Sequence, residues 1–137
     1  MAFNTIEHTA DLAVRVTARE FSALFSESAA AMTSLMVHPE TLSAKETIPV
    51  AVEGEDRVDL LINWLRELLY LWHGRELLVA KSEILEIGES NLRARIRCDR
   101  YDPNRHEISH ELKAVTYHDA RVEAGRDGWE AWVVFDV

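Results

Sequence analysis

The sequence predicts an α+β fold, a two-layer sandwich in which two helices pack on one face of a mainly antiparallel sheet. Apolar residues recur at helical spacing in two segments, one from Phe21 to Met36 and one from Val58 to Trp72. Several other segments show the two-residue period of a strand. The last four of these form two hairpins, each closed by a short turn, which makes the sheet largely antiparallel.

"FNTIE" is short enough for a first strand. In "DLAVRVTA", Leu12, Val14 and Val16 alternate with Asp11, Ala13, Arg15 and Thr17, as in a half-buried strand. Thr17-Ala18-Arg19-Glu20 then has the form of a capping box. The helix that follows carries Phe21, Leu24, Phe25, Ser28, Met32, Leu35 and Met36 on one face, with Ala29, Ala30 and Ala31 small enough for close approach to a sheet; Pro39 ends it. "TIPVAVEG" is a strand, placed at a sheet edge because Pro49 has no N–H to donate. Asp56 is the expected N-cap of the second helix and Gly74 its C-terminal cap. "LLVAKSEILEI" turns through Gly88-Glu89-Ser90-Asn91 into "LRARIRC", where Leu92, Ala94, Ile96 and Cys98 face one way and Arg93, Arg95 and Arg97 the other. The polar loop "DRYDPNRHEISHE" leads to "LKAVTYHDARVEA", and a turn between Gly125 and Gly128 leads to the last strand, "WVVFDV".

A length of 137 residues suits one domain over 1–137 with a single core. At that size a chain buries roughly 70% of its unfolded surface and folds without a disulfide or a structural metal. One cysteine, Cys98, allows no internal disulfide and fits a reducing cytoplasm. No apolar run approaches the roughly 20 residues of a membrane span, and "MAFNTIEHTA" lacks the pattern of a signal peptide. The net charge of −9 argues against a free-standing nucleic-acid binder, whose affinity rests on neutralising phosphates with Lys and Arg.

Four clusters carry candidate chemistry, each with a plainer reading beside it. "HTAD" holds His8, Thr9 and Asp11 at a turn, where Asp11 alone would bond its own backbone. If the first and last strands are neighbours, Asp11 meets Asp136 and the main-chain carboxylate of Val137. Two like charges about 4 Å apart repel by roughly 4 kcal/mol at an effective dielectric near 20, so such a group calls for a cation or protons. Hard oxygen donors select Ca²⁺, Mg²⁺ or Mn²⁺ over Zn²⁺. "YDPNRH" (Tyr101, Asp102, Arg105, His106, then His110) is a surface turn or a binding loop. In "KAVTYHDA", Lys113, Thr116, Tyr117 and His118 have no nucleophile elbow nearby, which favours a satisfied strand histidine over acid–base chemistry. The arginine stripe faces a phosphate or, more ordinarily, solvent, with Glu83, Glu86 and Glu89 in the neighbouring arm to neutralise it. Cys98 ends an inward row as a buried, inert thiol.

"HTADLAVRV", "DLLINWLRELLYLW", "YDPNRH", "KAVTYH" and the terminal "VVFDV", in this order and at these intervals, closely resemble the archease family over nearly the whole chain. The start of the first helix, "AREFSALF", and the loop "HEISHELKAV" depart from the family's usual forms. The resemblance implies a small cytoplasmic cofactor protein of an RtcB-type RNA ligase, acting in tRNA splicing and RNA repair. Such a protein speeds guanylylation of the ligase and allows repeated turnover without joining RNA itself, so nucleic acid is met only through the ligase. It further implies a divalent metal, Ca or Mg/Mn, held at the HTAD aspartate, the penultimate aspartate and the last residue. Matched position by position these are Asp11, Asp136 and Val137, with no catalytic residue of the chain's own. Two other readings stand beside it: a metal-dependent hydrolase using Asp11, Asp136 and His118, and a chaperone-like domain that binds proteins through its acidic face.

Overall fold

The computed structural model describes residues 2–7 and 11–137, so His8, Thr9 and Ala10 of the HTAD stretch lie outside the described residues and Asp11 inside. The elements run β1 (Ala2–Glu7), β2 (Asp11–Ala18), α1 (Phe21–Met36), a single 3₁₀ turn (Pro39–Thr41), β3 (Glu46–Glu53), α2 (Arg57–Arg75), β4 (Leu77–Ile87), β5 (Asn91–Arg100), β6 (Ala114–Gly125) and β7 (Gly128–Asp136). The strands form two antiparallel sheets, one of four strands in the order β1-β2-β7-β6 and one of three in the order β3-β5-β4. Helix α1 lies against β2, β7 and β4, and α2 against β6 and β3, so each helix touches both sheets. The α+β class and the packing of both helices on antiparallel sheet are as the sequence predicts.

Burial explains why these segments sit where they do. Leu24, Phe25, Ala29, Met32 and Leu35 of α1 and Leu61, Trp64, Leu65 and Leu68 of α2 are buried against Val14, Val16, Ile96 and Phe135 in one contiguous core. Each large aliphatic or aromatic side chain removed from water contributes roughly 1.5–3 kcal/mol. Two buried polar contacts fix the helices on this apolar surface. The Trp64 indole N–H donates to the Phe25 carbonyl at 2.9 Å, joining α2 to α1, and the Thr33 hydroxyl donates to the Val79 carbonyl at 3.0 Å, joining α1 to β4. Pro49 lies on β3, an edge strand, as its missing N–H requires. Strand β5 alternates exposed arginines with buried Leu92, Ala94, Ile96 and Cys98. Among the described residues no helix is long and apolar enough to cross a membrane.

Three local expectations are corrected. Thr17 does not cap α1, because β2 runs on to Ala18, pairing Thr17 with Glu130 and Ala18 with Trp129; the N-cap is Glu20, which makes no side-chain cap bond. Gly74 does not cap α2. The helix continues through it to Arg75 and closes at Glu76, which takes the left-handed conformation at φ 51° and donates its N–H to the Trp72 carbonyl at 2.9 Å. Glu89 pairs with Arg57 at 2.5 Å rather than with the arginine stripe, because it lies in the turn beyond the ladder, beside the start of α2. Asp56 caps α2 as expected, accepting from the Asp59 N–H at 2.8 Å.

Candidate metal centre

Asp11 is the first residue of β2 and Asp136 the last of β7, and the two are direct partners across the antiparallel ladder. Directly opposed residues project their side chains from the same face, with Cβ atoms about 4.5–5.5 Å apart. On the other side of β7, Ala114 opens β6 opposite the same Asp136, and the Lys113 N–H donates to the Asp136 carbonyl at 2.8 Å. Three strand ends therefore meet at this corner. Val137 follows Asp136 directly and packs its half-buried side chain on the core.

The Asp11 carboxylate is unevenly satisfied. Its Oδ1 is buried and has no hydrogen-bond partner among the described residues. Buried polar atoms are nearly always paired, and an exception calls for a water, an ion or a strained role. Glu27 Oε2 is also buried without a partner among the described residues, and burial raises the Glu27 carboxyl above its ordinary value. Among the described residues no three His, Cys, Asp or Glu side chains come together as a metal cluster. The groups at this corner that could hold a cation are the Asp11 and Asp136 carboxylates and main-chain oxygen from Val137. That all-oxygen set suits a hard divalent ion, and the orphaned Asp11 Oδ1 fits one.

The other sequence candidates are not gathered here. His118 lies four residues beyond Ala114, roughly 13 Å along a strand at the usual rise, within the irregular stretch of β6 between Thr116 and Arg121. It is exposed and faces Asp119 at 3.2 Å. Tyr117 donates to the Asp59 carboxylate and stacks under the Arg66 guanidinium, with 4.7 Å from Cζ to the ring centre. His110 contacts the Leu35 carbonyl at 2.8 Å. Cys98 is fully buried, and burial with the nearby Glu46 carboxylate pushes its thiol up to about 11, consistent with an inert core residue.

"YDPNRH" encloses a buried polar centre whose key residue the sequence reading passed over. Asp99, 1% exposed, receives the Arg105 guanidinium as a fork at 3.1 and 3.2 Å and the Ser43 N–H at 2.9 Å. The Asp102 N–H donates to His106 Nδ1 at 2.9 Å, which leaves Nε2–H of this buried histidine to donate to Asp99 at 3.1 Å. Asp99 directly follows the inward Cys98, so it breaks the alternation of β5, and nothing in periodicity marks it. The centre ties the loop after β5 to the segment before β3 and so holds the path of the chain towards Lys113.

With the geometry established, comparison with known proteins places the chain. The model of the archease protein family (MTH1598/TM1083) matches residues 3–137. Protein archease of Pyrococcus furiosus is 38% identical over 136 residues, covering 96% of this chain and 95% of the relative. Protein archease of Methanopyrus kandleri is 35% identical over 140 residues, covering all of both chains. The solution structure of Methanobacterium thermoautotrophicum protein 1598 superposes with a TM-score of 0.80 at 28% identity, covering 98% of each chain. A Thermotoga maritima crystal structure described as an archease and possible chaperone shares the fold, with a TM-score of 0.70 at 23% identity, covering 96% of this chain and 94% of that one. This chain belongs to the archease family.

Proposed function

We propose that this chain is a metal-binding protein cofactor that activates an RtcB-type RNA ligase in the cytoplasm, promoting guanylylation and repeated turnover in tRNA splicing and RNA repair. The reading rests on family membership and on one observation above the others: the β2–β7 register sets Asp11 directly against Asp136 beside a buried, unpartnered carboxylate oxygen. Asp11, Asp136 and Val137 would hold Ca²⁺, Mg²⁺ or Mn²⁺. Bound there, the ion neutralises the carboxylates and offers a Lewis-acidic charge at the molecular surface. The chain's own part is to fix two carboxylates on a rigid strand pair and to present that corner to the ligase. Its net charge of −9 suits a protein partner better than RNA, so nucleic acid is met through the ligase.

The deciding experiment adds this protein in substoichiometric amounts to a purified RtcB-type ligase. Faster guanylylation and several turnovers per ligase are expected, with both lost in Asp11→Ala and Asp136→Ala. An inert wild-type protein would reject the reading. The hydrolase alternative draws no support from the register, which keeps His118 away from the carboxylate pair. A chaperone-like role shares the need for a protein partner. It would show as metal-independent activity in the same assay, unaffected by either substitution.

A further inference from the structure

We propose that the solvent-facing groove of the three-stranded sheet, around Lys81 and Arg97, binds a phosphate group. The arginines of β5 project from its exposed face, and their partners differ along the strand. Arg93 pairs with Glu86 at 3.1 Å and Arg95 with Glu83 at 3.4 Å. Arg97 instead stands directly between Thr47 of β3 and Lys81 of β4. Opposed like charges destabilise a sheet, and neither the Lys81 nor the Arg97 side chain has an ionic or hydrogen-bond partner among the described residues.

A break in the ladder creates this pairing. Val79 opposes Cys98 and Lys81 opposes Arg97, leaving Ala80 as the extra residue of a bulge. In regular register Ala80 would face Arg97, and Lys81 would face Ile96 on the buried side. The second irregularity of β4, between Ile84 and Glu86, has the opposite effect and brings a carboxylate to Arg93. One bulge thus neutralises the stripe at one end, and the other concentrates positive charge at its far end.

The resulting groove, about 270 Å³, is lined by Thr47, Lys81, Glu83, Arg95 and Arg97. Three cations against one carboxylate make it positive on a chain of net charge −9. Its volume is below the usual range for whole drug-sized ligands and suits one compact oxyanion. Guanidinium forks match phosphate oxygens in pairs, an ammonium adds a point charge, and the Thr47 hydroxyl supplies a further donor. The phosphate comes either free in solution or on a nucleotide.

The test is a titration of metal-free wild-type protein with inorganic phosphate at constant ionic strength, followed by NMR of the arginine Nε–H groups and by thermal melting. The expected result is saturable movement of the Arg95 and Arg97 signals in the millimolar range, with a Tm that rises as phosphate increases. Lys81→Glu places a carboxylate opposite Arg97. It should raise Tm without phosphate and abolish the phosphate-dependent rise, which shows at once that the variant folds. Arg97→Gln should weaken binding at least tenfold. A nucleoside monophosphate binding tenfold tighter than phosphate identifies the nucleotide as source, and equal affinity identifies free phosphate. The proposal is overturned if acetate reproduces the response, if Lys81→Glu retains it, or if the arginine signals stay still. Asp11→Ala should leave the response intact, so this site and the metal reading stand or fall separately.

Discussion

At Asp99 a carboxylate leaves water almost entirely, and the cost of that transfer is offset by charge and hydrogen bonds. Burial alone would raise its pKa. The Arg105 fork, the Ser43 N–H and the Arg105 charge outweigh it and hold the carboxyl at about 2. Because the folded-state value lies below the unfolded one, the stabilisation is complete above pH 4 or so and is lost as pH falls towards 2. It amounts to on the order of 2 kcal/mol. Asp99→Asn should therefore lower stability near neutral pH by about that much and flatten the acid limb of a Tm-against-pH curve between about pH 4 and 2. An unchanged limb would mean that other carboxylates govern acid unfolding. At Asp11 the balance differs, because its buried oxygen has no partner among the described residues. Ca²⁺, Mn²⁺ or Mg²⁺ at 100 times its dissociation constant should stabilise the wild type by about 2.7 kcal/mol, a Tm rise of roughly 10 °C for a chain of this size. Asp11→Ala should abolish that rise. Asp136→Ala should do the same. Equal shifts in all three proteins would remove these residues from a metal site.

The two ends of α2 show how an element is specified, and how far its limits could be read in advance. Asp56 at the start was legible because an Asx cap acts within four residues. Asp56→Ala should cost about 1 kcal/mol. Gly54 just before it is required by contact, since a Cβ there would lie 2.4 Å from the Leu60 backbone nitrogen. Gly54→Ala should therefore cost more than loss of the cap. At the other end, Gly74 resembles a C-cap in sequence, yet the chain stays helical until Glu76, where Tyr101 N–H bonds the Glu76 carbonyl at 2.9 Å and draws the chain into the sheet. A long-range contact thus decided the boundary, as it did for Thr17, which the β2–β7 ladder withdraws from the helix start. Since a Cβ on Gly74 would meet only the Tyr70 ring, at 3.7 Å, Gly74→Ala should stabilise the protein by about 0.5–1 kcal/mol. A loss of that size in chemical denaturation would restore Gly74 as a structural stop.

For the whole molecule, periodicity located helices and strands because it reflects local alternation of environment. The division of the strands between two sheets depends on pairings that no local pattern encodes, such as β2 with β7 across most of the chain. The same limit applies to the metal corner. Each aspartate is visible as a charged end to an apolar strand, but their meeting follows from register, so the residues alone could pose it only as a condition and likeness to a family implied it. Two sheets raise the question of whether they fold as one unit. Both helices contact both sheets, and Trp64 at the centre is wholly buried, bonds the Phe25 carbonyl and belongs to the same core cluster as Val16 of one sheet and Ile96 of the other. Truncating such a residue removes packing, leaves a cavity and breaks the bond that joins α2 to α1, at a cost of about 3–5 kcal/mol. If the helices couple the sheets, Trp64→Ala must lower the stability of both by the same amount. Amide exchange along β7 then follows the four-stranded sheet, amide exchange along β5 follows the three-stranded one, and the two should report a single coincident transition in wild type and variant alike. Separation of the two curves in Trp64→Ala, with β5 amides keeping wild-type protection, would show that the sheets are held by independent cores.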